Sequence, residues 1–163
     1  MENVIDVGLE VEGIWISPGH DFRGRYGKGR ENHGVVGLDE VECVAGRGLV
    51  NDRYFDYKED FKGQVSFFAA EILEELRGKY GEVEPSALRR NVLVRGGDLA
   101  TLVGKKFSVQ GVVFEGSEDC VPCFWMDEAV GEGAEDFLKG GCRAGIRARI
   151  LTDGKIRVSG RCG

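Results

Sequence analysis

Glycine constrains this chain more than any other residue: it occupies 26 of 163 positions, against only 3 prolines. That is more than twice the usual share of ~7%. With so little proline, the excess is neither collagen-like nor the composition of a Pro-Gly linker. Glycine inside a helix costs roughly 0.5–1 kcal/mol relative to alanine, whereas it fits tight turns and close approaches of one backbone to another. The composition therefore argues against a helical bundle and for short elements joined by many sharp turns. Apolar residues make up 42% of the chain and recur in short runs along its whole length. A core can form, and residues 1–163 are expected to make one domain.

The periodicities carry this further. Residues 4–16 contain Val7, Leu9 and Val11 alternating with Gly8, Glu10 and Glu12, the period of a strand with one wet face. Residues 19–34 are glycine-rich, basic and aperiodic, and read as a loop placed to cover a site. Short strands are expected around Val41, Cys43 and Ala45. Residues 51–62 read as a mixed aromatic and charged connection. One long helix is expected from Ser66 as its cap through Phe67, Phe68, Ile72, Leu73 and Leu76, ending at Gly78 or Gly81. Pro85 opens a single helical turn, Asn91 to Val94 a strand, and Leu99 to Leu102 another turn. A hairpin is expected around Gln110-Gly111, a small helix within 131–138, and a second hairpin at Asp153-Gly154. In the strand before that turn Ile146, Ala148 and Ile150 alternate with Arg147 and Arg149, so one face is core and the other carries two guanidinium groups. These arginines either face solvent or line an anion pocket. Short strands, one main helix and many turns predict a mainly β protein, a closed or partly closed barrel with small peripheral helices.

The formal net charge is −6, which excludes broad steering onto nucleic acid, because phosphate neutralisation needs a basic surface. The charges are segregated. Residues 118–137 hold seven acids and no base, while residues 139–161 hold seven bases and one acid. Arg23, Arg25, Lys28 and Arg30 form a further basic cluster. Either basic region can hold a small anion on an acidic protein, or be plain solvated surface. No leader-like opening and no apolar run near the ~20 residues of a membrane span is present. With 5 cysteines, an odd number, and no Asn-x-Ser/Thr acceptor, the expected location is the reducing cytoplasm.

Cys120-Val-Pro-Cys123 is a C-x-x-C pair, a spacing that chelates zinc or exchanges dithiol for disulfide. Structural zinc normally takes a second such pair, and Cys43, Cys142, Cys162, His20 and His33 supply none with ligand spacing. A thioredoxin-like pair follows a strand of a βαβ unit, whereas this one follows an expected hairpin. A single nucleophilic or metal-ligating cysteine needs only a lowered pKa, which nearby arginines supply. Cys43, on an apolar strand, reads as core filling. His33 is either an acid–base group or a loop histidine without a role. Gly27-Lys28-Gly29-Arg30 and Gly46-Arg47-Gly48 match neither the dinucleotide nor the Walker pattern, so a nucleotide fold is excluded, although a local nest for one oxyanion is not. No His-Glu-x-x-His, Gly-x-Ser-x-Gly or paired-carboxylate pattern stands out.

Five segments, in order, resemble the MOSC domain family, named for the C-terminal domain of molybdenum-cofactor sulfurase. They are Gly48 to Tyr54 with its Asp52-Arg53-Tyr54; Gln64 to Leu76; Leu88-Arg89-Arg90-Asn91 through Arg95-Gly96 and Asp98-Leu99; the hairpin about Gly111 with Cys120-Val-Pro-Cys123; and Gly140 to Ile150 with Arg147-Ala-Arg149. The resemblance spans roughly residues 5–160 of the chain. It implies a MOSC β-barrel and matches Cys123 to the family's single cysteine. It also implies handling of sulfur or of the molybdenum cofactor (molybdopterin), with Cys123 as persulfide carrier or molybdenum ligand. Its partners would be a pyridoxal-phosphate-dependent cysteine desulfurase or a molybdoenzyme, and its ligand a small oxyanion or pterin. The resemblance implies a short member, expected to be without the additional N-terminal β-barrel of longer ones. A carrier cysteine must be a thiolate near neutral pH, and Arg53, Arg90, Arg147 and Arg149 are the cations that would lower its pKa. The same guanidinium forks suit the cofactor's phosphate and oxo groups. Asn91 either faces a pterin or oxo group or locks a turn, and Asp52 either orients Arg53 or caps a turn. The alternative is a module without chemistry of its own, docking on a desulfurase or molybdoenzyme through the acidic stretch 118–137.

Overall fold

The computed structural model describes residues 3–17, 35–120, 126–127 and 130–159. The basic loop at 19–34 lies outside them. Among them are the strands β1 (Val4–Asp6), β2 (Glu10–Ile16), β3 (Val36–Leu38), β4 (Glu40–Val44), β5 (Gly48–Leu49), β6 (Val65–Ala69), β7 (Val92–Arg95), β8 (Lys106–Val109), β9 (Val112–Asp119), β10 (Ile146–Ile150) and β11 (Gly154–Arg157). One helix, α1 (Ala70–Tyr80), is joined by 3-10 turns at Pro85–Leu88 and Leu99–Leu102 and by a short helical turn at Ala134–Phe137. The fold is mainly β, as expected.

Eight strands form one sheet in the order β1-β8-β9-β10-β6-β7-β2-β3, and three form a second, β11-β4-β5. Pairing is antiparallel except at β1–β8 and β6–β7. The order itself shows that the large sheet is curled. β1 and β2 stand six places apart, ~29 Å in a flat sheet. Only Val7, Gly8 and Leu9 join them, a link that reaches ~14 Å at full stretch. The two ends of the sheet must therefore approach each other, giving a partly closed barrel. Residues 4–16 are thus two strands at distant places in the sheet, not one. The break falls where the Gly8 N–H turns back to Asp6 Oδ1 at 3.1 Å.

The curled sheet buries both faces. Val65 and Phe67 of β6, with Val92 and Val94 of β7, point into an inner core, where Phe67 meets Phe107 and Phe114 edge-on at 5.5 and 5.2 Å between centroids. Val41, Cys43, Leu49 and Ile156 of the small sheet close over the same core. Phe68 and Leu93, one residue out of phase, point to an outer core with Leu73 and Leu76 of α1. Burial on both faces turns Val65-Ser-Phe-Phe-Ala69 into an almost continuous apolar run, as in a parallel pair generally. Such a run has no strand periodicity, so the expected helix, capped at Ser66, started three residues too early. Ser66 is a strand residue rather than a cap; α1 begins after Ala69 with no side-chain cap and ends at Gly81, whose N–H reaches Arg77 O at 2.9 Å.

The hairpin at Gln110-Gly111 stands as expected, both residues at positive φ (52° and 85°) between β8 and β9. The one at Asp153-Gly154 does not. β10 pairs with β9 and β6, whereas β11 pairs with β4. The Asp-Gly corner carries the chain from the large sheet to the small one, with Asp153 Oδ1 accepting from Ala45 N at 2.8 Å.

Candidate functional site

A cleft of about 120 Å³ opens beside β6, β7 and β10. One water needs only ~10–15 Å³ of such space, so the cleft has room for a polyatomic ligand. Among its lining residues are Trp15, Ser17, Arg53, Tyr54, Phe61, Ser66, Arg89, Arg90, Asn91, Cys120 and Arg147. Four of these carry guanidinium groups. Ser17 and Val35, the described residues flanking the 18–34 segment, both line it.

Each wall follows from local structure. The Pro85–Leu88 turn ends with Arg89 in the left-handed region (φ 56°). Successive residues of a strand point to opposite faces, but this left-handed step brings both Arg89 and Arg90 to the cleft. Arg89 Nη2 donates to Ser17 Oγ at 3.0 Å. Arg90 Nε donates to Ala144 O at 2.8 Å and its Nη1 to Leu88 O at 3.2 Å. These bonds hold both forks in place at the cleft wall.

Asn91 locks the junction. Its Oδ1 accepts from Ser66 N at 2.9 Å, its Nδ2 donates to Trp15 O at 3.1 Å, and its N–H donates to Ser66 Oγ at 3.0 Å. Its amide is thus spent tying the ends of β2, β6 and β7 together. Asp52 is buried and caps the backbone on both sides. Its Oδ1 accepts from Ser17 N at 2.9 Å and its Oδ2 from Tyr54 N at 3.3 Å. The turn it holds presents Arg53, whose guanidinium carbon lies 4.9 Å from the Tyr54 ring centroid. Arg53 Nε is buried with no hydrogen-bond partner among the described residues. An unsatisfied buried donor is costly, on the order of 1–3 kcal/mol, and a bound acceptor would relieve it.

β10 keeps the expected alternation, with Ile146, Ala148 and Ile150 buried and the two arginines half-buried. Only Arg147 lines the cleft. A register shift against β9 falls between Arg147 and Ala148. Arg149 is instead turned to acids, its Nε donating to Asp60 Oδ1 at 2.8 Å and its Nη1 lying 3.9 Å from Glu115. The expected arginine pair is therefore divided between two environments.

Cys120 is buried in the cleft wall, its N–H donating to Gly145 O at 2.8 Å. Burial pushes its thiol up, against the pull of the Arg90 and Arg147 guanidinium groups, and Asp119 and Glu118 add to the rise. Cys120 is a protonated wall residue at neutral pH. Cys123 lies outside the described residues, as does Cys162. Among the described residues no three His, Cys, Asp or Glu side chains gather to hold a metal ion, and no helix is long and apolar enough to cross a membrane.

Of the residues singled out in the sequence, Arg53, Arg90, Asn91 and Arg147 line this one cleft, and Arg149 is not among its lining residues. The sequence reading missed Arg89, Ser17, Cys120 as wall, and the aromatic side formed by Tyr54 and Phe61. Arg89 sits in the same Arg-Arg-Asn block, immediately before Arg90.

The MOSC domain model matches residues 55–161. That span contains four of the five resemblance segments and leaves out Gly48 to Tyr54. No curated protein matches the chain. Among solved structures, the YuaD protein from Bacillus subtilis is similar with a TM-score of 0.65 at 17% identity, over 92% of this chain and 91% of that one. YiiM from Geobacillus stearothermophilus gives 0.65 at 13% identity, over 91% and 71%. YiiM from Escherichia coli gives 0.59 at 14%, over 76% and 61%. These identities speak for a shared fold, which is the partly closed β architecture described above. With two thirds of its length matched by the family model, the chain belongs to the MOSC domain family.

Proposed function

We propose that this protein handles sulfur or the molybdenum cofactor at the arginine-lined cleft, with Cys123 as persulfide carrier or molybdenum ligand. One observation carries the reading: Arg53, Arg89, Arg90 and Arg147 meet at a single cleft whose wall includes Cys120, the first residue of the Cys-Val-Pro-Cys segment. The residues present fit a phosphate-bearing pterin. Guanidinium forks bind phosphate and oxo groups bidentately, and the orphaned Arg53 Nε supplies an unused donor. When bound, the cofactor would supply oxygen-atom and electron transfer at its metal; the protein's part is to hold the anionic end on the four arginines. In the carrier role the Cys123 thiolate attacks the outer sulfur of a desulfurase persulfide. The donor's S–S bond breaks, the desulfurase thiolate leaves, and Cys123 keeps the sulfur as its own persulfide. Positive charge at the cleft favours the attacking thiolate.

Incubation with a cysteine desulfurase and radiolabelled cysteine tests the carrier role. Label on the native protein and none on Cys123→Ser is the expected result, and equal label on both would remove Cys123 from the chemistry. Molybdenum and pterin analysis of protein made in a molybdenum-replete host separates ligand from carrier. Both present in stoichiometric amount support the ligand role.

A further inference from the structure

Arg90 is held by a segment that lies behind the cleft wall. Its Nε donates to Ala144 O at 2.8 Å, in the stretch 140–145 that leads into β10. The next carbonyl along, Gly145 O, takes the Cys120 N–H at 2.8 Å. One short segment therefore fixes two residues that line the cleft.

The backbone of that segment is an unfavourable one. Gly140, Gly141 and Cys142 are all left-handed, with φ of 76°, 58° and 60°. A Cβ at either glycine would meet nothing within 4 Å, so these glycines serve the backbone conformation and not a close approach. Cys142 lacks that freedom and carries the strain of the left-handed region. Two local bonds close the turns, Arg143 N to Gly140 O at 3.1 Å and Gly145 N to Cys142 O at 3.0 Å. β10 starts only at Ile146.

The Arg143 side chain ties this segment down from the far side. Arg143 is not among the cleft's lining residues. Its Nε donates to Phe137 O and its Nη2 to Glu75 Oε1, both at 2.9 Å. Its guanidinium carbon lies 4.7 Å from the Phe137 ring centroid. Lys79, four residues beyond Glu75 on α1, places its Nζ 5.8 Å from the same ring. The clasp joins α1, the helical turn at Ala134–Phe137 and the segment that carries Ala144 O.

We infer that Arg143 is a positioning residue for the cleft: clasped between Phe137 and Glu75, it sets Ala144 O and thereby the Arg90 guanidinium that meets the anion. A planar fork donates in two directions while lying against a ring, which a single ammonium does not reproduce. The side chains of the Arg143–Glu75 pair are 30% and 49% exposed, and such a pair adds little to stability. Its worth lies in geometry. The role rests on the anion-binding reading of the same cleft and adds how that site is held from α1.

Titration of the full chain with inorganic phosphate, followed by phosphorus NMR line broadening, tests it. Arg90→Ala should weaken phosphate by about tenfold or more, the scale of a lost charge-assisted bond. Arg143→Ala should weaken it about fivefold, a coupling of ordinary size between linked residues. Arg143→Lys keeps the charge but not the fork and should lose as much as Arg143→Ala. Glu75→Ala should lose about threefold, whereas Glu75→Gln keeps an acceptor for Nη2 and should bind as the native protein does. Melting temperatures should fall by about 3 °C or less, so affinity and stability part company. In an Arg90→Ala background Arg143→Ala should have no further effect, while in an Arg53→Ala background its full effect should remain. Native-like binding by Arg143→Lys would make Arg143 a mere source of charge, and a full Arg143→Ala loss without Arg90 would mean that it does not act through Arg90. Either result overturns the positioning role and leaves the anion site standing. Failure of the native protein to bind phosphate overturns the cleft reading along with it.

Discussion

At the scale of single residues, burial decides chemistry here more than residue type does. Three cysteines are described, and Cys43 illustrates the point. It lies fully buried in the inner core, and burial, helped by the neighbouring Glu42 charge, pushes its thiol up from 9.0 to about 12. A thiol protonated in the fold but ionised in the unfolded chain makes folding weaker as pH rises. Below pH 9 both states hold the proton and stability is untouched. Between pH 9 and 12 the unfolded state gains by losing it, and stability falls by about 1.4 kcal/mol per pH unit. Urea melts across that range should show a shallower alkaline decline for Cys43→Ala than for the native protein, although the variant starts lower because a cavity is left. The sequence made Cys43 readable as core, through its place on an apolar strand. It left Asn91 and Asp52 each with two roles, and the structure shows framework contacts for both. Those contacts depend on partners 25 to 76 positions away in the chain, such as Ser66, Trp15 and Ser17, which no local pattern contains.

At the scale of elements, local chemistry was legible wherever it was decided locally. The Gln110-Gly111 turn, the Pro85 turn and the Gly81 stop all stand where turn and cap preferences put them. The errors came where tertiary pairing overrode local signals. β6 looked helical because both of its faces are buried, and Asp153-Gly154 looked like a hairpin although its two strands belong to different sheets. Pairing also explains a demanding glycine. Gly145 precedes β10 with φ 102°, and a Cβ there would stand 2.2 Å from Phe67 O. Its carbonyl takes the Cys120 N–H, and its own N–H goes to Cys142 O at 3.0 Å. Gly145→Ala would push β10 away from β6 at the cleft wall. Backbone strain and lost pairing together should cost roughly 3 kcal/mol or more, read as a large fall in melting temperature. Gly111→Ala, with nothing within 4 Å of its Cβ, should cost only the strain of its positive φ, about 1 kcal/mol.

At the scale of the whole molecule, an acidic protein with a formal charge of −6 keeps four arginines at one cleft. Strand adjacency makes this possible. β10, β6, β7 and β2 are consecutive in the eight-stranded sheet, which sets the end of β2, the turn before β7, the start of β10 and the connection before β6 at the same place. Segregated charge was visible in the sequence, whereas which arginines converge was not. Arg147 and Arg149 share a strand face, yet Asp60 and Glu115 hold the second away from the cleft. That division offers the sharpest control for the central claim, that the cleft's positive charge serves Cys123. The measurement is the pH profile of Cys123 alkylation, followed by peptide mass spectrometry in native protein, Arg147→Ala and Arg149→Ala. The account predicts a native midpoint below the ordinary thiol value of ~8.5, an upward shift in Arg147→Ala, and no shift in Arg149→Ala. A native midpoint at or above the ordinary value, or equal shifts in the two variants, would contradict it.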